Sequence, residues 1–281
     1  MLNIHRVVLA VALCAPHVAY SQAPIAFGTF DGVKRLDPST HQVIDHTGLG
    51  YLYEEIHAFS NDEALVFRYL GVFNGPRSIG VHNFVTDTFE PFTTNNLKLT
   101  GVARYSAGNL DFLATNNKIF VRPIGPDPQP VDIWLEGAAL PLSLVNALAI
   151  DPSLPILYAA GGDRIVAIDI ATKQWMDLFD APVGASVAVR DLSVLGDWIY
   201  ASNGAKEFTF AAVFKVTKDG SSVYETIEPP GRASHLATRE EADGTVAVYH
   251  TWGERLYLTY DVPPPKVVVY EEPTGTIRSA N

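Results

Sequence analysis

The sequence has a single cysteine, Cys14, and it lies within the first two dozen residues. The remainder of the chain therefore has no disulfide bond and no thiol nucleophile. Its stability has to come from the burial of apolar side chains, and the roughly 255 residues that follow are enough for a sizeable core.

Long apolar runs are also missing. The run near the N-terminus, Val7–Ala15, has nine residues, whereas a membrane-spanning helix needs ~20. This run follows Arg6 and precedes the small residues Ala19, Ser21 and Ala23, which is the pattern of a cleaved export signal. We predict that residues 1–23 are a signal peptide rather than a membrane anchor. We further predict that residues 24–281 form one domain, and that the mature protein is secreted or periplasmic.

Basic residues are few and scattered, with 20 lysines and arginines against 31 acidic residues and a net charge of −11. A chain without a basic cluster is a poor match for nucleic acid or for an anionic membrane surface. The Gly-x-Ser-x-Gly, His-Glu-x-x-His, phosphate-loop and Asp-x-Asp-x-Asp patterns are absent as well. We expect no nucleic-acid or membrane partner, no cofactor and no metal.

A repeat of short strands is present instead. Val33–Val43 aligns with Ile165–Trp175 at an offset of 132 residues (175 − 43), which is three times 44. Related copies near the same period are Asn83–Phe89, Lys118–Val121, Val213–Gly220 and Tyr257–Val267. A period near 44 with no sustained helical periodicity is typical of a β-propeller with four-stranded blades.

The fourth copy shows the unit most clearly. We predict its strands at Val145–Ile150, Ile156–Ala160, Ile165–Ile170 and Gln174–Phe179. Units two to six are predicted to begin near Glu55, Leu99, Val145, Val189 and Ala233.

The first unit, Pro24–Thr47, supplies only three strands. We predict that Gly275–Ser279 provides the missing inner strand, so that six antiparallel blades close into a ring without an open sheet edge. In the alternative frame, Ile25–Phe30 is itself the inner strand.

A polar residue stands at the start of each of five predicted inner strands, and these residues are nearly equally spaced along the sequence. They are Glu55, Thr100, Asn146, Arg190 and Ser234, at intervals of 45, 46, 44 and 44 residues. Their neighbours include His57, Asp191, Arg232 and His235. Equivalent positions of successive blades are related by rotation about the axis, so we predict that this ring lines the mouth of the axial channel and holds a small polar ligand. The alternative is that the same groups only line a water-filled channel.

Two tryptophans are interpreted differently. Trp175 aligns with Val43 and Phe89 in the repeat and is predicted to be packed in the core or between blades. Trp252 lies in a predicted turn, and we expect its side chain to be exposed.

The stretch from Val145 to Pro152, VNALAIDP, resembles the six-bladed propellers of the NHL-repeat and gluconolactonase/regucalcin-like superfamily. In the latter family an Asn, a Glu and an acidic residue of the following blade hold a divalent cation that activates water. The resemblance implies Asn146 as the Asn and Glu55 as the Glu. Arg190 stands in the register of the acidic ligand, and Asp191, one residue along, is expected on the other face of the strand. We therefore expect no metal at this position.

Three functional classes remain open. The first is a propeller, expected to be a monomer, that binds a small polar ligand or a partner protein at its axial mouth. A sugar acid or lactone is the simplest ligand, because it offers a carbonyl or anionic group to Arg190 and hydroxyl groups to Glu55 and Asn146. The second class is a hydrolase of a lactone or an ester, and the third is an interaction scaffold without an axial site.

Overall fold

The structure, a computed structural model, describes residues 24–29, 32–70, 77–93, 98–125, 131–207, 209–221, 223–261, 267–271 and 279–280. The predicted signal peptide, with Cys14, lies outside the described residues. Within the described residues the chain forms 24 strands and two short 3₁₀ turns, at Ser106–Gly108 and Gly137–Ala139. The strands are β1 (Ile25–Thr29), β2 (Gly32–Leu36), β3 (Val43–Thr47), β4 (Tyr51–Ala58), β5 (Glu63–Leu70), β6 (Arg77–Asn83), β7 (Thr88–Thr93), β8 (Gly101–Tyr105), β9 (Leu110–Thr115), β10 (Lys118–Pro123), β11 (Asp132–Glu136), β12 (Ala147–Ile150), β13 (Ile156–Gly161), β14 (Arg164–Asp169), β15 (Trp175–Asp180), β16 (Val189–Leu195), β17 (Trp198–Asn203), β18 (Ala211–Thr217), β19 (Tyr224–Pro230), β20 (Leu236–Glu240), β21 (Val246–Trp252), β22 (Arg255–Tyr260), β23 (Val267–Glu271) and β24 (Ser279–Ala280).

These strands form six four-stranded antiparallel sheets, and each sheet is one blade. Blade 1 has the order β24-β1-β2-β3, and blades 2 to 6 are β4–β7, β8–β11, β12–β15, β16–β19 and β20–β23. The inner strands contact one another in the sequence β4, β8, β12, β16, β20, β24, and β24 contacts β4 again. The predicted six-bladed β-propeller with almost no helix is confirmed.

The C-terminal strand closes the ring. In β24, Ser279 lies opposite Gly28 and Ala280 lies opposite Phe27. The prediction that a C-terminal strand closes the ring is confirmed, and this strand is Ser279–Ala280. Residues 275–278 of the predicted strand lie outside the described residues. The alternative frame is wrong, because β1 is the second strand of its blade and not the inner one.

The predicted strand boundaries agree best in blade 4, where the four strands match to within two residues. The largest difference is in blade 2, whose inner strand begins at Tyr51 rather than near Glu55. The preceding turn explains this difference. Gly48 and Gly50 adopt positive φ angles of 64° and 83°, so the extended backbone starts directly after them.

Six apolar clusters lie among the described residues, one between each pair of neighbouring blades. The middle strands are covered on both faces, which is why β13 and β14 consist of nearly continuous apolar residues. The outer strands are exposed over much of their length. Trp175 shows the consequence: it lies at the start of the outer strand β15 and is 45% exposed, so the prediction of a core residue was wrong. Trp252 is 41% exposed, as predicted.

Leu36–Asp37 in blade 1 and Ile168–Asp169 in blade 4 occupy the same position in the repeat. In each pair the aspartate has a local role in the turn after the third strand of its blade. The carboxylate of Asp37 accepts a hydrogen bond from the backbone N–H of Ser39 at 2.7 Å. The carboxylate of Asp169 accepts one from the N–H of Thr172, also at 2.7 Å. Aspartate is favoured here because its short side chain caps the turn.

Removal of residues 275–281 should destabilise the whole ring rather than fray one end. Without β24, the edge of β1 and the apolar surface between blades 6 and 1 become exposed. We expect the free energy of unfolding to fall by about 2–3 kcal/mol and the Tm by about 5–10 °C, in a single transition. Thermal denaturation followed by circular dichroism measures this. Removal of residues 1–23 serves as the control, and an unchanged Tm in the C-terminal truncation would contradict the role of β24.

Candidate functional site

Two of the predicted ring residues connect neighbouring blades around the axis. The hydroxyl of Thr100 donates a hydrogen bond to the backbone carbonyl of Val145 at 2.7 Å. The side-chain amide of Asn146 donates one to the carbonyl of Val189 at 3.0 Å. Each side chain therefore reaches the start of the inner strand of the next blade, and part of its hydrogen-bonding capacity is used within the fold.

A β-bulge sets the direction of the charged side chains in blade 5. Val189 pairs with Asn203 and Asp191 pairs with Ser202, which leaves Arg190 as an extra residue between two ladder pairs. The bulge breaks the strict alternation of faces that the sequence interpretation assumed for Asp191. Arg190 is exposed and Asp191 is half-buried.

Asp191 is held by two backbone donors. Its carboxylate accepts hydrogen bonds from the N–H of Leu192 at 2.8 Å and from the N–H of Leu236, in the next blade, at 2.9 Å. Nδ1 of His235 lies 3.8 Å from Oδ2 of the same carboxylate. These contacts fix the position of Asp191 in the channel.

Glu55 occupies the corresponding position in blade 2. A bulge in β4 makes Glu54 the extra residue, as Arg190 is in β16. The Glu54 carboxylate accepts a hydrogen bond from the hydroxyl of Tyr69. The Glu55 carboxylate, by contrast, accepts no hydrogen bond from any residue that the structure describes. Because blades 2 and 5 are three blades apart in a ring of six, Glu55 and Asp191 approach the axis from opposite sides.

The two carboxyl groups influence each other across the channel. Burial raises the pKa of Asp191 to about 7, against the opposing effect of its two backbone hydrogen bonds. Burial also raises the pKa of Glu55 well above its ordinary value, and the negative charges of Asp191 and Glu54 raise it further. A negative charge on Asp191 therefore helps to keep the proton on Glu55.

His57 lies two residues after Glu55 on the same strand, so both side chains point to the same face of β4. Burial lowers the pKa of the His57 imidazole to about 4, and the positive charge of Arg104 lowers it further. The ring is thus neutral near pH 7. Arg104 is itself engaged by Asp111, at 2.7 Å between Nε and Oδ1.

The mouth of the channel is its end at which the inner strands begin. Arg190 is exposed there and makes no hydrogen bond or ion pair with any described residue. Its aliphatic stem lies against Gly204, where an added Cβ would be only 2.4 Å from Cγ of the arginine. Ser234 is half-buried, and its N–H donates to the carbonyl of Thr251 at 2.8 Å.

The structure thus leaves Arg190 exposed, whereas Glu55, His57, Asp191, Ser234 and His235 are half-buried. That these residues together form a ligand site at the axis stays a prediction. Spacing alone missed the bulges in β4 and β16, because one inserted residue does not alter the repeat period. Among the described residues, no group of three His, Cys, Asp or Glu side chains is arranged to hold a metal ion. None of the described residues belongs to a helix that is long and apolar enough to span a bilayer.

Comparison with known proteins shows the fold alone. No family model matches the chain, and no curated protein matches its sequence. The chain is similar to a structure from a nidogen/laminin complex, with a TM-score of 0.72 and 10% identity over 92% of this chain and 97% of that chain. It is also similar to the extracellular domain of a protein described as a hybrid two-component system from B. thetaiotaomicron, with a TM-score of 0.58 and 14% identity over 93% of this chain. The match covers 34% of that protein, so the chain spans about a third of its length. The six-bladed architecture is supported, and the resemblance to gluconolactonase and NHL propellers stays a prediction.

Substitution Glu55→Gln should stabilise the protein at high pH. The folded protein holds the Glu55 proton more tightly than the unfolded chain does, so the ionised form opposes folding as the pH rises above ~4.3, the pKa of an unfolded glutamate. The amide removes this cost and loses no hydrogen bond to described residues. We expect the Tm difference from wild type to be near zero at pH 4 and to grow towards pH 8. Thermal denaturation across this range, with the exposed Glu240→Gln as control, measures it. A difference that does not vary with pH would contradict the pKa assignment.

Proposed function

We propose that this protein is a secreted or periplasmic binding protein that takes a small polar ligand at the mouth of its axial channel. One observation carries the proposal. The exposed Arg190 guanidinium and the half-buried Glu55 carboxyl both belong to inner strands, and neither has a partner among the described residues. Because blades 2 and 5 face each other across the ring, these two groups are left free for the hydrogen bonds of a ligand that lies between them.

The hydrogen-bonding groups of this site are best matched by a polyhydroxylated acid or lactone. Protonated Glu55 donates and accepts hydrogen bonds, and ionised Asp191 accepts them, so the pair matches hydroxyl groups. The Arg190 guanidinium is suited to a carboxylate or carbonyl oxygen, which it binds through two parallel N–H groups. A sugar acid carries both kinds of group.

Calorimetric titration with glucuronate, and with glucose as the uncharged comparison, tests the proposal. We expect glucuronate to bind more tightly than glucose. Arg190→Ala should weaken glucuronate binding by about 10- to 100-fold, as expected for the loss of a charged hydrogen bond, without lowering the Tm. Arg255→Ala is the matched control, since Arg255 is an exposed arginine that faces Glu271 at 3.5 Å. Equal binding by wild type and Arg190→Ala would contradict the proposal.

Hydrolysis of a lactone or ester is a second candidate. The pKa of Asp191, raised by burial to about 7, suits a general base that takes a proton from attacking water. Protonated Glu55 would give its proton to the leaving alkoxide oxygen. If so, hydrolysis of gluconolactone should exceed the spontaneous rate, increase through pH 7, and be lost in Asp191→Asn. A rate equal to the spontaneous one excludes this candidate.

Binding of a partner protein at the same mouth is the remaining alternative to a small ligand. The nidogen/laminin structure is compatible with a propeller that binds a protein, although its likeness to this chain is one of fold. A wild-type protein that binds no sugar acid and hydrolyses no lactone would favour this alternative or a scaffold without an axial site.

A further inference from the structure

We propose that the mouth continues into a second subsite formed by Trp252 and Arg232, so that the preferred ligand is an acidic oligosaccharide rather than a single sugar acid. This inference rests on the proposed function. The acidic ring would lie at Arg190, and the next ring would stack on the exposed indole of Trp252.

The first observation is that Trp252 is held in a fixed position although it is exposed. It is the last residue of β21 and pairs with Arg255 across a tight turn in which Gly253 has a φ of 64°. The indole is 41% exposed, and the guanidinium of Arg232 lies 5.3 Å from the ring centroid. A flat apolar surface with a cation fixed over one face is preorganised to pack its other face against the C–H face of a sugar ring.

The second observation concerns Arg232, which is immobilised by the backbone. Its Nε donates a hydrogen bond to the carbonyl of Ala205 at 2.7 Å, and its Nη2 donates one to the carbonyl of Lys206 at 2.7 Å. These bonds tie the loop before β20 to the loop after β17. Arg232 thus acts as a positioning residue that keeps the indole in place.

The third observation is that the indole and the mouth are contiguous. Thr251, which precedes Trp252, accepts a hydrogen bond from the N–H of Ser234 at its carbonyl and one from the N–H of His235 at its hydroxyl, at 2.8 and 3.2 Å. On the other side, Arg190 packs on Gly204, which directly precedes the loop residues that hold Arg232. A ligand bound at Arg190 therefore has Trp252 within the same stretch of surface.

The local charge favours an acidic but not a densely charged ligand. Arg190, Lys206 and Arg232 contribute three positive charges, whereas the chain as a whole carries −11. Exposed Glu207 and Glu254 on the same loops oppose a second carboxylate at the outer ring. We therefore infer one carboxylate at the inner ring and stacking, rather than ion pairing, at the outer one.

The test compares two ligands that share the same acidic ring: glucuronate, and a disaccharide in which a neutral glucose is attached to glucuronate. By calorimetry, the disaccharide should bind about tenfold more tightly than the monosaccharide. Trp252→Ala should remove that gain and leave the affinity for glucuronate unchanged, and Trp252→Phe should keep part of it. Trp175→Ala is the matched control, because Trp175 is 45% exposed on an outer strand of another blade and should alter neither affinity.

Tryptophan fluorescence gives an independent readout. The disaccharide should change the emission of the wild-type protein, and this change should be absent in Trp252→Phe. If glucuronate binds but the disaccharide binds no more tightly, the second subsite is refuted and the proposed function stands. If Trp252→Ala weakens both ligands equally, Trp252 belongs to the mouth itself and the subsite is likewise refuted. If neither ligand binds, the proposed function is itself refuted, and the second subsite with it.

Discussion

Apolar packing between neighbouring blades is the interaction on which the rest of this structure depends. Each sheet has two apolar faces, and both can be buried only if another blade lies on each side. Such a row of sheets has to close on itself, since a first and a last blade would otherwise each expose a core-like face. The pairing of β24 with β1 meets that requirement, and the cluster between blades 6 and 1 is its product.

Closure also determines the chemistry at the axis. Six inner strands converge there, and their polar side chains serve first to connect the blades, as Thr100 and Asn146 do. Asp191 does the same through the N–H of Leu236 and at the same time shapes the electrostatics of the channel. Glu55 stands in the equivalent place without such a contact.

The sequence predicted the architecture well because strand units recur with a period near 44 residues, and some of them share a turn-capping aspartate, such as Asp37 and Asp169. It did not predict that Asp191 is half-buried and Arg190 exposed, since a bulge inserts one residue without altering the overall spacing. Trp175 was misjudged for a related reason: a repeat identifies an equivalent strand position, but only the neighbouring blade decides whether that position is covered.

The composition of blade 1 has a consequence for the order in which the protein folds. Blades 2 to 6 each consist of consecutive strands and can form soon after their own residues have been synthesised. Blade 1 contains β1, near the start of the chain, and β24, more than 250 residues later, so it is completed only after every other blade has been synthesised. Until then the apolar faces of blades 1 and 6 stay open to water. Until blade 1 is complete, the chain therefore has an uncovered apolar blade face at each end, and surface of this kind favours aggregation of the incomplete protein.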